Sequence, residues 1–408
     1  MSAPTNPGRV RFDIRTIPGI TPPAMISRRS ELSPGGLPRV TLPTGHTAVH
    51  LTSYADVHQV LTDVSFIRSD TNVADGPSFL PTIMPPDMLL NLDHPDHGRL
   101  KRFVASAYSV NTMTGLAPAV RRLTDRAVDG LLSSLAAGEP VDLMIDVLDP
   151  LTIAVNADYL GIPRADIPEF RHLSREMQLA HDTDVPRLLE DFWELYGYIE
   201  DLVGGRRPLN VGLIQDLLDA RDTIEPTVTD AEFAATLLGS LVGGDQNVLS
   251  VLSKIVYTAL VEHDLWELMA ADSTTIPTVV EELLRLLPLG RISTFPRIAA
   301  HDVRFSTGIL NEGETVYADA HEANRDPDVF PDPWLVDTTR SGKRHLQFGY
   351  GMHHCMGSAL ARMEIIEVMA VLTNRVPDLR LAVDPQTLAW DTGVLVHRPL
   401  SLPVDRLA

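Results

Sequence analysis

Cysteine is nearly absent from this chain of 408 residues: there is one, Cys355. A single thiol excludes an intramolecular disulfide, and with it the disulfide-stapled class of small secreted scaffolds. Long apolar runs are also missing. The most apolar stretches are broken by Asp, Lys, Glu or His every few residues, whereas a membrane helix needs about 18 to 20 in a row. The first residues, MSAPTNPGRVRF, lack the apolar core of a signal peptide. Basic residues are scarce, with 34 Lys and Arg against 54 Asp and Glu, a formal charge of −20. Phosphate backbones are held by concentrated positive surface, so nucleic acid is not expected as a partner. No internal repeat, low-complexity tract or Ser/Gly-rich linker divides the chain. The expectation is a cytoplasmic protein of one domain, residues 1–408, that does not enter a membrane.

What the sequence does hold is helix, punctuated by 31 prolines that set sharp ends and rigid turns. Residues 38–52 read as a β-hairpin with Thr44-Gly45 at the turn. Ser53 then suits the N-cap of a short helix bearing Val57, Val60 and Leu61 on one face. From about 97 to 285 nearly every segment is helical in period, as in 115–137, 187–203 and 255–270. After 290 the texture turns to short β-like runs, and one more helix follows at 357–375. The fold class expected is mainly α: a helical body over about 53–285 and 357–375, with a small β-rich portion from about 38–52, 290–320 and 378–405.

Thr229-Asp230-Ala231-Glu232 matches a capping box, and the apolar rhythm behind it continues to about His263. Such a helix is roughly 50 Å long at 1.5 Å per residue. Its middle reads Gly243-Gly244-Asp245-Gln246-Asn247. Two glycines and three polar residues there cost about 2 kcal/mol in helix propensity. They form either a packing notch or a place where the helix opens to admit a ligand. Polar groups in an apolar helix need partners, which favours the second.

Cys355 lies in HLQFGYGMHHCMGSALARME, residues 345–364, between a glycine-punctuated loop and a helix starting near Gly357. The positive end of that helix favours a thiolate. Gly349, Gly351 and Gly357 allow a flat ligand close to the backbone. Zinc at His353-His354-Cys355 is disfavoured, because three adjacent residues do not easily form a tetrahedron around one ion. A nucleophilic cysteine with a histidine base would leave the spacing of Phe348 and the glycines unexplained.

That spacing, Phe348-x-x-Gly351-x-His353-x-Cys355-x-Gly357, resembles the heme-binding signature of the cytochrome P-450 family. Further motifs follow in the family's order across most of the chain. Glu282-Leu283-Leu284-Arg285 is similar to the family's ExxR pair. The turns Asn324-Arg325-Asp326-Pro327 and Phe330-Pro331-Asp332-Pro333 resemble the region that locks onto it, with Arg340 as third member. His97 in HGRLKR, Arg297 in FPRIA and His353 resemble contacts to the heme propionates. Lys101 stands where the family usually has arginine, which keeps the charge and loses bidentate geometry. The resemblance implies an α-helical triangular prism with a long central helix over heme b (iron protoporphyrin IX). It implies Cys355 as axial ligand to the iron, O2 and a small molecule as substrates, and ferredoxin with ferredoxin reductase as electron donors.

A thiolate ligand favours O–O cleavage, which needs protons on the far side of the heme. There the family's long helix usually carries an acid followed by threonine. Aligned on Gly243-Gly244, this chain has Gln246 at the acid and Asn247 at the threonine, and neither titrates near neutral pH. Two readings stay open. One is oxygen insertion with protons relayed by Asp245, the substrate or water; the other is oxidative aryl coupling (C–C or C–O) without oxygen transfer. The resemblance also places 72–90, 290–296 and 391–397 around the substrate. Phe79, Leu80, Met84, Phe295 and Val394 are expected to face a medium-sized natural product, free or held on a carrier protein. Two basic clusters, Arg99-Lys101-Arg102 and Arg340-Lys343-Arg344-His345, are expected to dock the ferredoxin.

Overall fold

The computed structural model describes residues 10–179, 185–224, 228–340 and 344–406. Its organising element is the helix Asp230–Val261. The capping box is formed in both directions: Thr229 Oγ1 accepts from the Glu232 N–H, and the Glu232 carboxylate accepts from the Thr229 N–H. Most of its side chains are buried around the full circumference, which places it through the core rather than along a surface. Its N-terminal half, Phe233–Val242, packs with helices Asp149–Leu160, Ile167–Leu179, Val185–Val203 and Leu213–Ile224. Its C-terminal half, Val248–Leu260, packs with Val110–Ala136, Ile276–Leu286 and Ser358–Arg375. Residues 243–247 join neither apolar cluster.

The hairpin forms from Pro38–Thr41 and Thr47–Leu51, with Gly45 in the left-handed region at φ +82°. The second strand lies parallel to Thr315–Ala318, so the two ends of the chain meet in one six-stranded sheet. Its order is Ser27–Leu32, Pro38–Thr41, Thr47–Leu51, Thr315–Ala318, Arg297–Ala299, Phe66–Ile67. The Ser53 hydroxyl caps the helix Tyr54–Thr62 by accepting from the Asp56 N–H.

Three boundaries differ from the sequence reading. The sheet begins at Ser27, a strand whose six residues are all exposed and therefore show no apolar alternation. Short strands Phe66–Ile67 and Val141–Asp142 interrupt the expected helical body. The stretch 255–270 is two helices, because the backbone turns at Glu262 (φ −94°, ψ 77°) before His263–Ala271 while the apolar rhythm carries on across the break. Among the described residues, no helix is long and apolar enough to cross a membrane.

Candidate functional site

The loop around Cys355 is closed by its own backbone. The Cys355 N–H donates to the Phe348 carbonyl at 2.9 Å, and the Gly349 N–H to Leu346 at 2.9 Å. Gly349 and Gly351 are left-handed, at φ +66° and +64°, where a side chain would be strained. Gly351 has a second reason to be glycine: a Cβ there would lie 2.3 Å from the Leu61 carbonyl oxygen. Cys355 is exposed and helps to line a cavity. Burial raises its pKa, and the N–H groups of Gly357 and Ser358, with Arg362 and Lys101, pull the other way. His353 and His354 diverge: His353 meets the His97 ring at 4.6 Å, while His354 turns to Arg344. Among the described residues, no group of His, Cys, Asp and Glu is placed to hold a metal ion by itself.

Two consecutive glutamates on the helix Ile276–Leu286 hold this loop from behind. Glu282 accepts from Arg285 at 2.7 and 2.9 Å and from Arg340 Nε at 2.9 Å. Arg285, 2% exposed, spends its remaining donors on the carbonyls of Asn324 and Pro333, both at 2.8 Å, and on that of Leu335. A buried guanidinium is thereby fully partnered. Glu281, which the sequence reading passed over, faces the other way. It binds His345 and Arg362, and Arg362 lies 4.4 Å over the Phe348 ring. Burial would raise the Glu281 pKa, but those two partners hold it at about 2.

Five basic side chains converge at one end of the cavity: Arg68, His97, Lys101, Arg297 and His353. His97, Arg68 and Arg297 are nearly inaccessible to solvent. Burial, followed by the charges of Lys101 and His94, takes His97 down to about 4. Burial takes Arg297 to about 10, and burial with the nearby Arg297 charge does the same to Arg68. His353 falls to about 2, from burial and then the cations around it. Asp93 offsets part of this charge, but its oxygens accept from the backbone N–H groups of Arg68 and Ser69. Arg68 Nε and His353 Nε2 have no partner. Arg68 was missed in the sequence because an arginine after a two-residue strand carries no pattern.

The cavity is about 500 Å³ and lies against the middle of the long helix. That helix is unbroken through 243–247, so the expected local opening does not occur. The two glycines have separate causes. A Cβ on Gly244 would meet Asn156 Oδ1 at 2.3 Å, a packing notch, whereas the nearest atom to one on Gly243 is Asn247 Nδ2 at 3.9 Å. Asn156 and Gln178 donate to the helix carbonyls of Leu241 and Val242 at 2.8 and 3.0 Å. Gly243, Gly244 and Asn247 line the cavity, but Asp245 and Gln246 do not. Successive helical residues point about 100° apart, which carries these two side chains to the outer side.

Leu80, Met84 and Phe295 line the cavity, whereas Phe79 and Val394 do not. Those two are packed with Val40 and Tyr317 behind the wall, and Leu395 takes the place expected of Val394. Leu188, Leu189, Phe192 and Tyr108 also line it; their apolar periodicity reads only as core. The basic clusters are largely internal. Lys101 donates to the Met352 carbonyl, Arg99 pairs with Glu232, and Arg340 and His345 belong to the glutamate anchors. Lys343 lies outside the described residues, and Arg102 and Arg344 are the exposed members.

Residues 269–389 match the family model described as Cytochrome P-450. The chain is 34% identical over 405 residues to nocardicin C N-oxygenase of Nocardia uniformis subsp. tsuyamanensis, covering 97% of this chain and 99% of that one. It is 32% identical over 394 residues to mycinamicin IV hydroxylase/epoxidase of Micromonospora griseorubida, covering 96% and 98%. Among solved structures, that of cytochrome P450mel 107F1 with biaryl coupling reactivity superposes with a TM-score of 0.83 at 32% identity, covering 93% of each chain.

Proposed function

The chain belongs to the cytochrome P-450 family, and on that basis we propose that it is a cytoplasmic monooxygenase tailoring a medium-sized natural product, with O2 and electrons from a separate ferredoxin and its reductase. The observation that carries this is the cavity of about 500 Å³, apolar in most of its wall, with the Cys355 sulfur and five basic side chains facing into it. Enzymes of the family bind heme b, and the residues here fit that group. Buried polar atoms without partners, Arg68 Nε and His353 Nε2, call for a hydrogen-bonding group beside them. Arg68, His97, Lys101, Arg297 and His353 would hold the two propionates, and Cys355 would bind the iron. Phe348, Gly351 and Gly357 keep the loop in shape around that sulfur. When bound, the heme supplies O2 activation with an electron-rich thiolate behind it.

The chain's own part is placement, exclusion of water and protons. The N–H groups of Gly357 and Ser358 lower the pKa of the thiol against the effect of burial, which tempers the basicity of the sulfur. The apolar wall, including Leu80, Met84, Phe192 and Phe295, orients a substrate without competing hydrogen bonds. Asn247 Oδ1 is buried without a partner at the cavity face and can fix a water there. An aromatic or neutral natural product, free or on a carrier protein, suits that wall.

A second reading has its own support. Gln246 and Asn247 replace the acid and alcohol usual in the family, and the solved neighbour with biaryl coupling reactivity is 32% identical. Turnover under labelled O2 separates the two. Heavy oxygen in the product is expected for the monooxygenase; coupled product without label establishes the coupling reaction instead. The reduced carbon monoxide spectrum tests the site itself: Cys355→His should abolish the red-shifted thiolate band, and a wild-type protein without that band refutes the assignment of Cys355.

A further inference from the structure

A second, smaller cavity of about 280 Å³ lies on the outer side of the long helix. Four elements border it. Asp149 comes from the helix Asp149–Leu160, and Arg171, His172 and Arg175 come from the helix Ile167–Leu179. Gln246 comes from the long helix and Arg398 from the strand His397–Pro399. His172 and Arg175 are exposed, so this arginine-lined pocket meets solvent on their side. Met177 and Gln178, further along the same helix, line the large cavity, which puts the pocket behind its wall.

Three arginines line the pocket against one aspartate. Arg171 pairs with Asp149, and Arg175 Nη2 lies 3.0 Å from Asp391 Oδ2. Arg398 is left short. It is 4% exposed, and its Nη1 has no hydrogen-bond partner among the described residues. Asp391 Oδ2 stands 4.0 Å from its Nη2, too far for a hydrogen bond. Burial lowers the Arg398 pKa, and the charges of Asp391 and Asp149 offset that only in part. Asp245 does not line the pocket; its Oδ2 accepts from Gln246 and Ser174. Arg285, buried as deeply, has both oxygens of Glu282 and three carbonyls as acceptors. A buried guanidinium without such acceptors is costly, and an anion beside it relieves the cost.

Gln246 sets a second requirement. It is 1% exposed, its Nε2 donates to Asp245 Oδ2 at 2.7 Å, and its Oε1 has no partner. The pocket therefore asks for acceptors at its arginines and for a donor at one amide oxygen. A carboxylate or a sulfate at neutral pH offers acceptors alone. A hydrogen phosphate ion offers both: bare oxygens that match the planar guanidinium forks, and a P–O–H. A phosphate monoester gives up its last proton at about pH 6 and so lacks that donor at neutral pH, which favours the free ion.

We infer that this pocket is a binding site for inorganic hydrogen phosphate, held by Arg398, Arg171 and Arg175 and oriented by its P–O–H donating to Gln246 Oε1. The ion enters from the side of His172 and Arg175. A space of about 280 Å³ holds it together with part of its hydration shell, each water taking about 30 Å³. In a chain of net charge −20, long-range attraction does not bring the ion in. Its affinity comes from desolvated contacts to the arginines.

Calorimetric titration of the holoenzyme at neutral pH and constant ionic strength tests this. Sodium phosphate should bind saturably, one ion per chain, and about tenfold more tightly than sulfate or phenyl phosphate, the difference expected for one hydrogen bond to a charged group. No saturable binding, or sulfate or phenyl phosphate binding as tightly, overturns the assignment. Arg398→Met should abolish the binding, and phosphate affinity that survives it overturns the site. Arg175→Gln, on the exposed rim, should weaken binding about tenfold and reads the same site if Arg398→Met fails to fold; unchanged affinity there also overturns it. Gln246→Leu should leave phosphate and sulfate equal, and a retained preference overturns the role of its amide oxygen. Heme absorbance of the same samples should stay constant through the titration. A spectral change that follows the binding curve would place the ion among the cations of the large cavity and overturn the location.

Discussion

Asp245→Asn should make the protein more stable above pH 6 and no more stable near pH 4. The Asp245 carboxyl is raised from 3.8 to about 6, chiefly by burial, so the native state holds its proton more tightly than the unfolded chain. A raised carboxyl contributes its stability below the unfolded value near 4 and loses it as pH climbs through about 6. The displacement of roughly two units corresponds to about 3 kcal/mol at neutral pH. An asparagine is neutral at every pH and can keep the acceptor role toward Ser174 and Gln246 through its Oδ1. For about 400 residues, with roughly 2 cal/mol/K of unfolding entropy each, 3 kcal/mol moves Tm by about 3–4 °C. The assay is thermal and urea unfolding of both proteins from pH 4.5 to 8, taken as the difference between them so that other titrating groups cancel. A difference that stays flat across that range refutes the reasoning, because it would mean that Asp245 titrates alike folded and unfolded.

Three further outcomes follow from single contacts. Glu282→Gln removes the carboxylate from two arginines, one of them 2% exposed, and should cost about 3–5 kcal/mol in urea unfolding; a loss under 1 kcal/mol would mean the network is not structural. Gly244→Ala drives a Cβ to 2.3 Å from Asn156 Oδ1 and should destabilise by about 1–3 kcal/mol despite alanine's helix propensity. Gly243→Ala meets only Asn247 Nδ2 at 3.9 Å and should stabilise by up to about 1 kcal/mol while narrowing the cavity; equal effects at the two glycines would dismiss the distinction. Arg102→Glu and Arg344→Glu, on the exposed remainder of the basic clusters, should slow reduction by ferredoxin and weaken its salt dependence, which stopped-flow reduction at several ionic strengths measures.

Local signals read best where one residue's chemistry fixes the backbone. The Thr229 capping box, the Ser53 cap and the Gly45 turn are all formed by contacts within four residues in sequence, so nothing distant can overrule them. The spacing around Cys355 is legible for the same reason, since the loop closes on itself through Phe348. Long-range partners were legible only where a motif names them, as with Glu282, Arg285 and Arg340. Glu281 shows the limit. It sits beside Glu282 with the same side chain, yet it serves His345 and Arg362, 64 and 81 positions away, and no local pattern distinguishes it from a solvated glutamate. Arg68, Phe79 and Val394 fall on the same side of that line: which face of a wall a residue takes is decided by what packs against it.

The middle of the long helix was read as one feature and is in fact three. Composition alone flagged residues 243–247 as foreign to an apolar helix, but it could not assign each to a side, because 100° of rotation per residue sends neighbours to different surroundings. Gly244 answers to Asn156, Gly243 and Asn247 to the large cavity, and Gln246 to the arginine-lined pocket. Asp245 lies between, buried against Ser174. The two apolar clusters stop at Val242 and resume at Val248, so this one turn lies outside both apolar clusters and is the place where the helix can be polar. A substitution that made it apolar, such as Gln246→Leu with Asn247→Val, would remove two buried amide oxygens that lack partners and should raise stability. The same change would remove the amides that separate the pocket from the cavity, and the loss of coupled turnover would then report a functional role for this turn rather than a structural one.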